Sequence, residues 1–506
     1  MKPNTKLQRT AQALASTSAA SWMLLAPAAN AQYAPPPPPG PYAGLINEAL
    51  RKDHPSMAAW DFGGVARIRY EIKDGQAIQG VPGSLDFRAA NVDNHNAFFI
   101  ERFQVRGAYN ASWWSIHAEA RSSVAQGDER FAYPNAPRHK GDGPEADLID
   151  LHQAFVTVGN AKEFPLSAKL GRQELIYGDE HFLGAAFWHN IGRVFDAAKL
   201  RWQHDTFSAD AFLGRPVIPV DDSFNLANDY ETLAGLWVTS PKLVPRHSLD
   251  LFFLGRDASG DSPTAVAQPE IPLPSARDIY TLGTRLKSKP GDLGPWDYTV
   301  DALGQFGNFR DLRAGAPTHR LDHLAYAFIA NVGYTFAEAP AKPRLALEYS
   351  HGSGDSDPTD DDHGTFDNLY PTNHKFYGYA DFVSLQNVHD LRPMLTLKPT
   401  PRLSLALEGH LFWLADTHDS FYNVGGVPRG GIGTTAGNGY GINPDYDSFL
   451  GGEIDLIAGY ALTRYAQIEA GYCRFFTGSY IDSSLANPAF GSRDANFAYL
   501  QLLVRF

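Results

Sequence analysis

The sequence has very little cysteine, with Cys473 as the one example among 506 residues, so no disulfide can form within the chain. Because Cys473 lies in a strand-like stretch, we interpret it as a small core or wall residue rather than a reactive thiol. Beyond the first 31 residues there is no run of about 18 apolar residues, which excludes a bundle of membrane-spanning helices. The mean hydropathy of −0.29 agrees with that exclusion.

Motifs of common catalytic sites are also missing. The sequence has no G-x-S-x-G elbow, no H-E-x-x-H zinc helix, no phosphate-binding P-loop and no Cys/His zinc spacing. We therefore predict that the protein is not an enzyme and uses no cofactor, and we interpret the scattered His152, His204 and His410 as wall or rim residues. The net charge of −13, without a basic stripe, argues against nucleic-acid binding.

Residues 1–31 have the three parts of a secretory signal peptide. These parts are the charged residues Lys2, Lys6 and Arg9, the apolar stretch Ala19–Pro27, and the cleavage site Ala29-Asn30-Ala31. Residues 32–58 contain the proline-rich run YAPPPPPGPYAG, which is typical of an extended, flexible tether on the periplasmic side. We expect the folded domain to comprise residues 59–506 and to begin near Trp60.

From there the chain repeats one pattern, in which about ten residues of alternating apolar and polar character are followed by a turn. An early example alternates Ile68 and Tyr70 with Arg67 and Arg69. Alternation alone suits a soluble sandwich as well as a membrane barrel. The alternation of short with long connections and the aromatic residues near strand ends, which would form interfacial girdles, favour the barrel. Examples of such aromatic residues are Trp60, Trp114, Phe412 and Phe475. The final stretch, Phe497–Phe506, is typical of the carboxy-terminal strand by which barrel-assembly machinery recognises its clients.

The same alternation assigns many charged side chains to the water-facing side of such a wall. Basic candidates come early in the chain and acidic candidates come mostly later. The basic set is Arg67, Arg69, Arg102, Arg106, Arg121, Lys169, Lys199 and Arg201, and the acidic set is Glu119, Asp301, Glu348, Glu408, Glu453, Asp455 and Glu469. Either this division creates a passage that attracts anions, or the residues only neutralise one another across the wall.

Two longer blocks carry a family resemblance. Residues 169–202 read KLGRQELIYGDEHFLGAAFWHNIGRVFDAAKLRW, and residues 351–390 contain TFDNLYPTNHKFYGYADF. A GRQ strand end, a GDE turn, a GR-x-FD return and a TFD-x-LYPT-x-HK-FYG-x-D segment make the chain resemble the alginate export family of bacterial outer-membrane β-barrels. The resemblance implies a transmembrane antiparallel up-and-down barrel of about 18 strands, and it implies that Arg172 and Arg193 are pore or rim residues.

Two details stay open at this stage. Alternation along Leu166, Ala168 and Leu170 puts Arg172 on the lipid side, so either a bulge near Gly171 shifts the register or Arg172 lies at the rim. In the second block, Asp355, Asp357 and Asp360 are weak candidates for a calcium site. Their spacing matches no defined calcium loop, and a solvated acidic loop is the simpler interpretation.

We therefore predict an outer-membrane pore that passes an anionic polysaccharide, alginate-like by the resemblance, or a small acidic solute through a lumen lined by arginine. A substrate-specific porin for small acidic or sugar solutes is the first alternative. An outer-membrane lipid hydrolase and a structural or adhesion barrel are alternatives of other classes. The expected partners besides the solute are outer-membrane lipid, lipopolysaccharide and the barrel-assembly machinery.

Overall fold

The computed structural model describes residues 42–76, 87–128, 145–219, 224–259, 276–311, 319–426, 428 and 439–506. The predicted signal peptide and residues 32–41 of the predicted flexible segment 32–58 lie outside this part of the chain. Helices are few within it. They are α1 (Leu45–Asp53), α2 (Ser479–Ser484) and the three-residue 3-10 turns Pro55–Met57, Gly178–Glu180 and Asn373–Lys375. No helix in the described ranges has the length and apolar character needed to cross a membrane.

Strands make up most of the described chain. The first ten are β1 (Trp60–Asp74), β2 (His95–Asn110), β3 (Trp114–Gln126), β4 (Asp147–Val158), β5 (Leu166–Gln173), β6 (Phe195–Gln203), β7 (Ser208–Ile218), β8 (Leu226–Ala227), β9 (Glu231–Ser240) and β10 (His247–Ala258). The others are β11 (Arg277–Ser288), β12 (Trp296–Phe309), β13 (Leu321–Thr335), β14 (Arg344–Gly352), β15 (Asp362–His363), β16 (Val388–Leu397), β17 (Leu403–Leu414), β18 (Phe449–Ala461), β19 (Ala466–Thr477) and β20 (Ala495–Arg505).

The wall is a closed antiparallel barrel. Two of the twenty strands, β8 and β15, have two residues each, and the other eighteen pair in chain order. The last strand returns to the first, with a register that runs from Val65 opposite Arg505 to Asp74 opposite Asn496. Closure gives each of the eighteen strands in the described ranges a neighbour on both sides, which matters because hydrocarbon cannot satisfy unpaired backbone groups. The predicted all-β barrel of about 18 strands is therefore confirmed.

Many strands, such as β1 and β18, separate an apolar outer face from a polar inner face. On β1, Arg67 and Arg69 are 3% and 0% exposed, whereas Ile68 between them is 47% exposed. On β18, Leu456 is 50% exposed and the neighbouring Asp455 is buried. In a soluble sandwich, apolar side chains are buried and charged side chains are exposed. On these strands the distribution is reversed, as expected for a wall that faces hydrocarbon outside and water inside.

Large aromatic residues lie at both ends of the outer face, as interfacial girdles require. Exposed examples are Trp60, Trp114, Trp202 and Trp296 at one end, with Phe306, Tyr326 and Phe476 at the other. Phe412 and Phe475 also lie near strand ends, but they are fully buried inside the barrel. They pack in an interior cluster with Phe382 and contribute nothing to a girdle.

The two ends of the barrel differ in the length of their connections. The short connections are 111–113, 159–165, 204–207, 241–246, 289–295, 336–343, 398–402 and 462–465. The strand ends that flank the long connections, including 75–94, 127–146, 174–194, 353–387 and 415–448, lie at the opposite end. Helix α1 lies at the end with the short connections, where Asn47 accepts a hydrogen bond from the Phe62 amide (3.0 Å). The segment predicted as flexible therefore includes an ordered helix.

We predict that the outer face tolerates charge poorly. Leu456→Arg, in the middle of β18, should lower the free energy of unfolding in phosphatidylcholine vesicles by about 2–4 kcal/mol, since a guanidinium would enter hydrocarbon. The control is Leu243→Arg in the connection 241–246, where the leucine is 67% exposed. Denaturant titration of the two variants should show a large cost for the first and about 0–1 kcal/mol for the second. Equal costs would contradict this assignment of the outer face.

Candidate functional site

Four arginines form a patch on the inner face of β1, β2 and β3, which we call the basic wall. Its members are Arg67, Arg69, Arg102 and Arg121. All four are at most 4% exposed, because alternate residues of a strand point inward. The register places Arg67 directly opposite Arg102 on the neighbouring strand. Such a concentration of like charge in a lumen requires acceptors close by.

Much of the hydrogen bonding to the basic wall comes from the connection between β5 and β6. We call residues 174–194 the first inner segment, because they fold into the barrel. Backbone carbonyls of this segment accept hydrogen bonds from the wall guanidiniums. The contacts are Arg67 Nη1 to Phe187 O (2.8 Å), Arg69 Nη1 to Trp188 O (3.0 Å), Arg102 Nη1 to Phe187 O (3.2 Å) and Arg121 Nη1 to Ile191 O (2.5 Å). The basic wall thus binds the segment mainly through neutral peptide groups.

Two of these arginines have no carboxylate partner. Arg69 pairs with Glu71 (2.6 Å) and Arg121 pairs with Asp147. Within the described ranges, neither Arg67 nor Arg102 has a carboxylate oxygen within 4.0 Å, and the Nε atom of each is buried without a hydrogen-bond partner. The only side-chain acceptor contacting Arg67 in this part of the chain is the Asn190 amide oxygen (3.0 Å). These two guanidiniums therefore retain capacity for an anion.

A second stretch, residues 364–387, also folds into the barrel, and we call it the second inner segment. It pairs with the first through backbone hydrogen bonds. These run from Gly184 N to Tyr370 O (2.9 Å), from Tyr370 N to Phe182 O (3.0 Å) and from Thr372 N to Glu180 O (3.0 Å). Apolar residues of both segments are fully buried together, including Leu183, Phe366, Phe376 and Phe382. The lumen therefore has a packed interior of its own.

Arg193 joins the two inner segments. Its Nη1 donates to the carbonyl oxygens of Gly184 (3.2 Å), Tyr370 (2.5 Å) and Pro371 (2.9 Å). Burial lowers the pKa of Arg193 to about 10, which still leaves the side chain charged at neutral pH. The residue that the family resemblance assigns to the pore or rim thus holds the segments together, and its donors point at peptide carbonyls.

The opposite side of the lumen is acidic, and we call it the acidic wall. It consists of Asp301, Glu348, Asp390, Glu408, Glu453 and Asp455, all buried. Two arginines that the sequence analysis did not single out lie among them. Arg392 contacts Glu348 (3.2 Å) and Glu408 (2.9 Å), and Arg285 contacts Asp301 (3.3 Å). The two-residue alternation along β16 and β11 could have assigned both arginines to the inner face.

The inner segments also contact the acidic wall. Arg392 donates to the Lys375 carbonyl (3.2 Å), and the amide of Ala380 donates to Glu453 (2.9 Å). Arg285 donates to the Gly178 carbonyl (2.5 Å). The segments thus reach from the basic wall to the acidic wall, so their position determines how much of the lumen stays open.

Two carboxylates, the partly buried Asp179 and the buried Asp367, join the inner segments to basic residues of β10 and β11. Burial favours the neutral form of Asp179, but the Arg285 guanidinium and the Lys287 ammonium (2.7 Å) hold its pKa below the usual range. Asp367 is likewise buried, yet Arg256 (2.9 Å) and Arg277 (2.5 Å) hold its pKa well below the usual range. Both groups are therefore ionised at neutral pH, and their ion pairs stabilise the inward position.

Other residues predicted to face the lumen lie outside the basic wall. Arg106 lies over the Tyr42 ring (4.6 Å), and Lys169 lies over the Phe155 ring (3.6 Å). Lys199 and Arg201 both approach Asp210, at 3.8 and 2.7 Å. Glu119 accepts a hydrogen bond from Gln104 (3.0 Å). Each of these charges has a neighbour within the protein, and Arg201 is the most exposed because it lies near the short connections.

Arg172 has a different position from the rest. The pairing of β5 with β4 and β6 has no register shift, so no bulge is present near Gly171. Arg172 lies where β5 ends, and it bridges Asp196 on β6 (2.8 Å) and Asp150 on β4 (3.6 Å). It also donates to the Asn225 carbonyl (2.9 Å). These contacts hold Arg172 in the wall at the strand end rather than in the basic wall.

The proposed calcium ligands mainly organise their own loop. Asp355 accepts a hydrogen bond from the Asp357 amide (3.2 Å), and Asp357 accepts from the Thr359 amide (3.1 Å). Asp360 accepts from the Asp362 amide (2.9 Å). Among the residues that the structure describes, these aspartates are not part of any group of three or more ligand-type side chains close enough to share a metal ion.

Taken together, the closed wall, the apolar outer face and the charged lumen define an outer-membrane pore of the β-barrel class. Solved barrels from Pseudomonas aeruginosa have the same fold. OccD3 (OpdP) has 12% sequence identity and a TM-score of 0.50, with 92% of this chain and 99% of that chain covered. OccK8 (OprE) has 9% identity and a TM-score of 0.51, with 88% and 98% covered. OccK2 (OpdF), solved in complex with glucuronate, has 11% identity and a TM-score of 0.50, with 88% and 98% covered.

The amino-acid sequence shows which family the chain belongs to. The model of the alginate export family matches residues 59–486, which is most of the chain. The protein belongs to this family. The search of curated proteins found no match. Identities of 9–12% with the solved barrels establish the fold alone.

We predict that Arg193 controls how firmly the inner segments hold together. Arg193→Ala removes the donor to three carbonyls, each contact being worth about 1.5–3 kcal/mol for a charged donor. The amides of Gly184 and Tyr370 should then exchange hydrogen at least about tenfold faster, measured by native-state exchange with mass spectrometry. Arg320→Ala, which removes the exposed pair with Asp278, is the matched control and should leave this exchange unchanged. Unaltered protection in Arg193→Ala would show that other contacts hold the segments.

Proposed function

We propose that the protein passes carboxylated sugars, either an anionic polysaccharide of the alginate type or shorter acidic solutes, through its lumen along the basic wall. The observation that carries this proposal is the pair Arg67 and Arg102. Both are buried, neither has a carboxylate within 4.0 Å in the described part of the chain, and each has an unpartnered Nε. A substrate carboxylate would supply the two parallel hydrogen bonds that a guanidinium fork accommodates.

The first inner segment suggests how such a solute would enter. The carbonyls of Phe187 and His189 occupy donors of Arg102 (3.2 and 3.4 Å). A neutral carbonyl is a weaker partner for a guanidinium than a carboxylate is, so an entering anion would compete favourably for these donors. The exchange needs a local displacement of the segment and leaves the wall unchanged. We propose this displacement as the step that opens the path.

The acidic wall would keep transit weak enough for release. Conduction requires sites that attract the solute but do not retain it. Carboxylates such as Glu348 and Glu408 face the same lumen as the basic wall. They would repel a polyanion and confine it to the arginine side. The solved barrel OccK2 in complex with glucuronate supports a sugar acid as the solute class, because a barrel of the same fold has been observed with one.

The length of the uronate chains that block the pore distinguishes a polymer from a small molecule as the transported solute. A lumen that contains two packed segments favours single extended chains or small molecules over folded cargo. We propose no catalytic role. The proposal also includes export through the predicted signal peptide, insertion by barrel-assembly machinery and contact with lipopolysaccharide. Oligouronates of increasing length would all block the current in the polymer case. Only mono- or disaccharides would do so in the small-solute case.

We predict that glucuronate block of the ion current depends on the two unpaired arginines. Arg67→Gln and Arg102→Gln should each weaken the block by about tenfold or more, since each removes a charged hydrogen-bond donor. Both should also shift the reversal potential toward cations in a planar bilayer. Arg474→Gln removes a charge that pairs with Asp494 outside the lumen (2.8 Å) and should change neither quantity. If the double variant keeps wild-type selectivity and block, the basic wall does not recognise the solute.

A further inference from the structure

Four side chains of metal-ligating type converge on the inner face of β17, β18 and β19. They are His410, Glu453, Asp455 and Cys473, and all are at most 2% exposed. The strand register explains their proximity, because His410 lies opposite Glu453 and Asp455 lies opposite Cys473. One oxygen of each carboxylate and the Cys473 Sγ lie within 4.8 Å of one another. The Nε2 atom of His410 is 3.8 Å from Asp455 Oδ2.

The orientation of His410 suits a metal ligand. Its Nδ1 lies 2.9 Å from Asp390 Oδ2, so this nitrogen can carry the proton and donate it to the carboxylate. Its Nε2 then has a free lone pair, and this buried atom has no hydrogen-bond partner. Proteins commonly orient a metal-binding histidine by such a carboxylate on the far ring nitrogen. Asp390 is therefore a positioning residue for His410.

The carboxylates of the cluster are poorly compensated. Both oxygens of Asp455 and the Oε2 atom of Glu453 are buried without a hydrogen-bond partner. The other oxygen of Glu453 accepts from the Ala380 amide (2.9 Å). Within the described ranges, no lysine or arginine nitrogen lies within 4.0 Å of either carboxylate, whereas His410 is 3.8 Å from Asp455. Buried anions without a cationic partner are costly, and a bound cation would remove that cost.

We propose that His410, Glu453, Asp455 and Cys473 bind one divalent transition-metal ion, with zinc as the best match. One imidazole nitrogen, one thiolate and two carboxylate oxygens form a tetrahedral donor set that zinc accepts readily. The donors of a tetrahedral zinc site lie about 3.3–3.8 Å apart, so small side-chain rotations would complete the present arrangement. The thiol would lose its proton on binding. The ion would neutralise part of the acidic wall beneath the second inner segment.

The test uses the full-length protein in detergent, stripped with a chelator and then dialysed against zinc chloride alone. Elemental analysis should find one zinc per chain, and calorimetry should give a single site. Replacement of zinc by cobalt(II) should produce a thiolate-to-cobalt charge-transfer absorption in the near ultraviolet. That absorption reports directly on Cys473, because the chain has no other cysteine.

Three variants and one control distinguish the metal ligands from neighbouring residues. His410→Ala and Cys473→Ser should each weaken zinc binding by more than tenfold, and Cys473→Ser should lose the charge-transfer absorption. Asp390→Asn should weaken binding by about 10–100-fold while keeping that absorption, since it acts through His410. Glu469→Gln is the matched control, because Glu469 is a buried acid of β19 whose partner is the Tyr499 hydroxyl (3.0 Å). It should bind zinc as the wild type does.

The alternative is that protons shared between the carboxylates and the thiol stabilise the cluster. In that case the wild type would retain no more zinc than Cys473→Ser, and no cobalt–thiolate absorption would appear, which would overturn the proposal. Folding of each variant is checked by its migration in an unheated gel and its melting temperature. Because the wild-type stoichiometry and absorption need no variant, a variant that fails to fold leaves the test decisive. Neither readout depends on transport.

Discussion

The closed hydrogen-bonded wall is the constraint from which the rest of this structure follows. Hydrocarbon offers no partner for a peptide group, so each wall strand must pair on both sides, and β20 must return to β1. Strand pairing then fixes a period of two, which directs every second side chain inward. Most charged residues of the wall strands therefore lie on the inner face or near the strand ends. The chain's ionic chemistry is consequently concentrated in one lumen.

Concentrated charge creates a second requirement, which the inner segments meet. Arg69 and Arg121 have carboxylate partners, whereas Arg67 and Arg102 contact peptide carbonyls and an asparagine amide, and the Nε atom of each has no hydrogen-bond partner. A carbonyl gives a guanidinium a hydrogen bond without cancelling its charge. The segment can thus be held in place without neutralising Arg67 and Arg102. The acidic wall opposite supplies a field of the other sign across the same lumen.

The sequence predicted the structure best where the two-residue alternation within a strand determines which face a side chain occupies. The alternation around Arg67 and Ile68 was enough to assign their faces, and the family resemblance gave the strand number. Contacts between distant parts of the chain were not accessible in this way. Nothing local to Phe187 indicates that its carbonyl meets Arg67, because a loop conformation depends on tertiary contacts. The inward position of Phe412 and Phe475 was missed for a similar reason, since an aromatic near a strand end suits either face.

The register between adjacent strands was the other feature that could not be predicted from the sequence. Alternation alone left Arg172 on the lipid side, and the structure resolves the conflict by ending β5 at that point and adding Asp196 and Asp150 as partners. Likewise, His410 and Cys473 are far apart in sequence and meet only through the pairing of three strands. The alternation of side chains along a strand predicts which face a side chain occupies. Its neighbours on that face depend on how adjacent strands align.

The account's central claim is that an anionic sugar replaces peptide carbonyls on the unpaired arginines of the lumen. An experimental structure of the protein with glucuronate bound tests it most directly. The account predicts the sugar carboxylate within hydrogen-bond distance of Arg67 and Arg102, with the Phe187 carbonyl displaced from both. A bound sugar that contacts neither guanidinium, with the first inner segment unmoved, would contradict it.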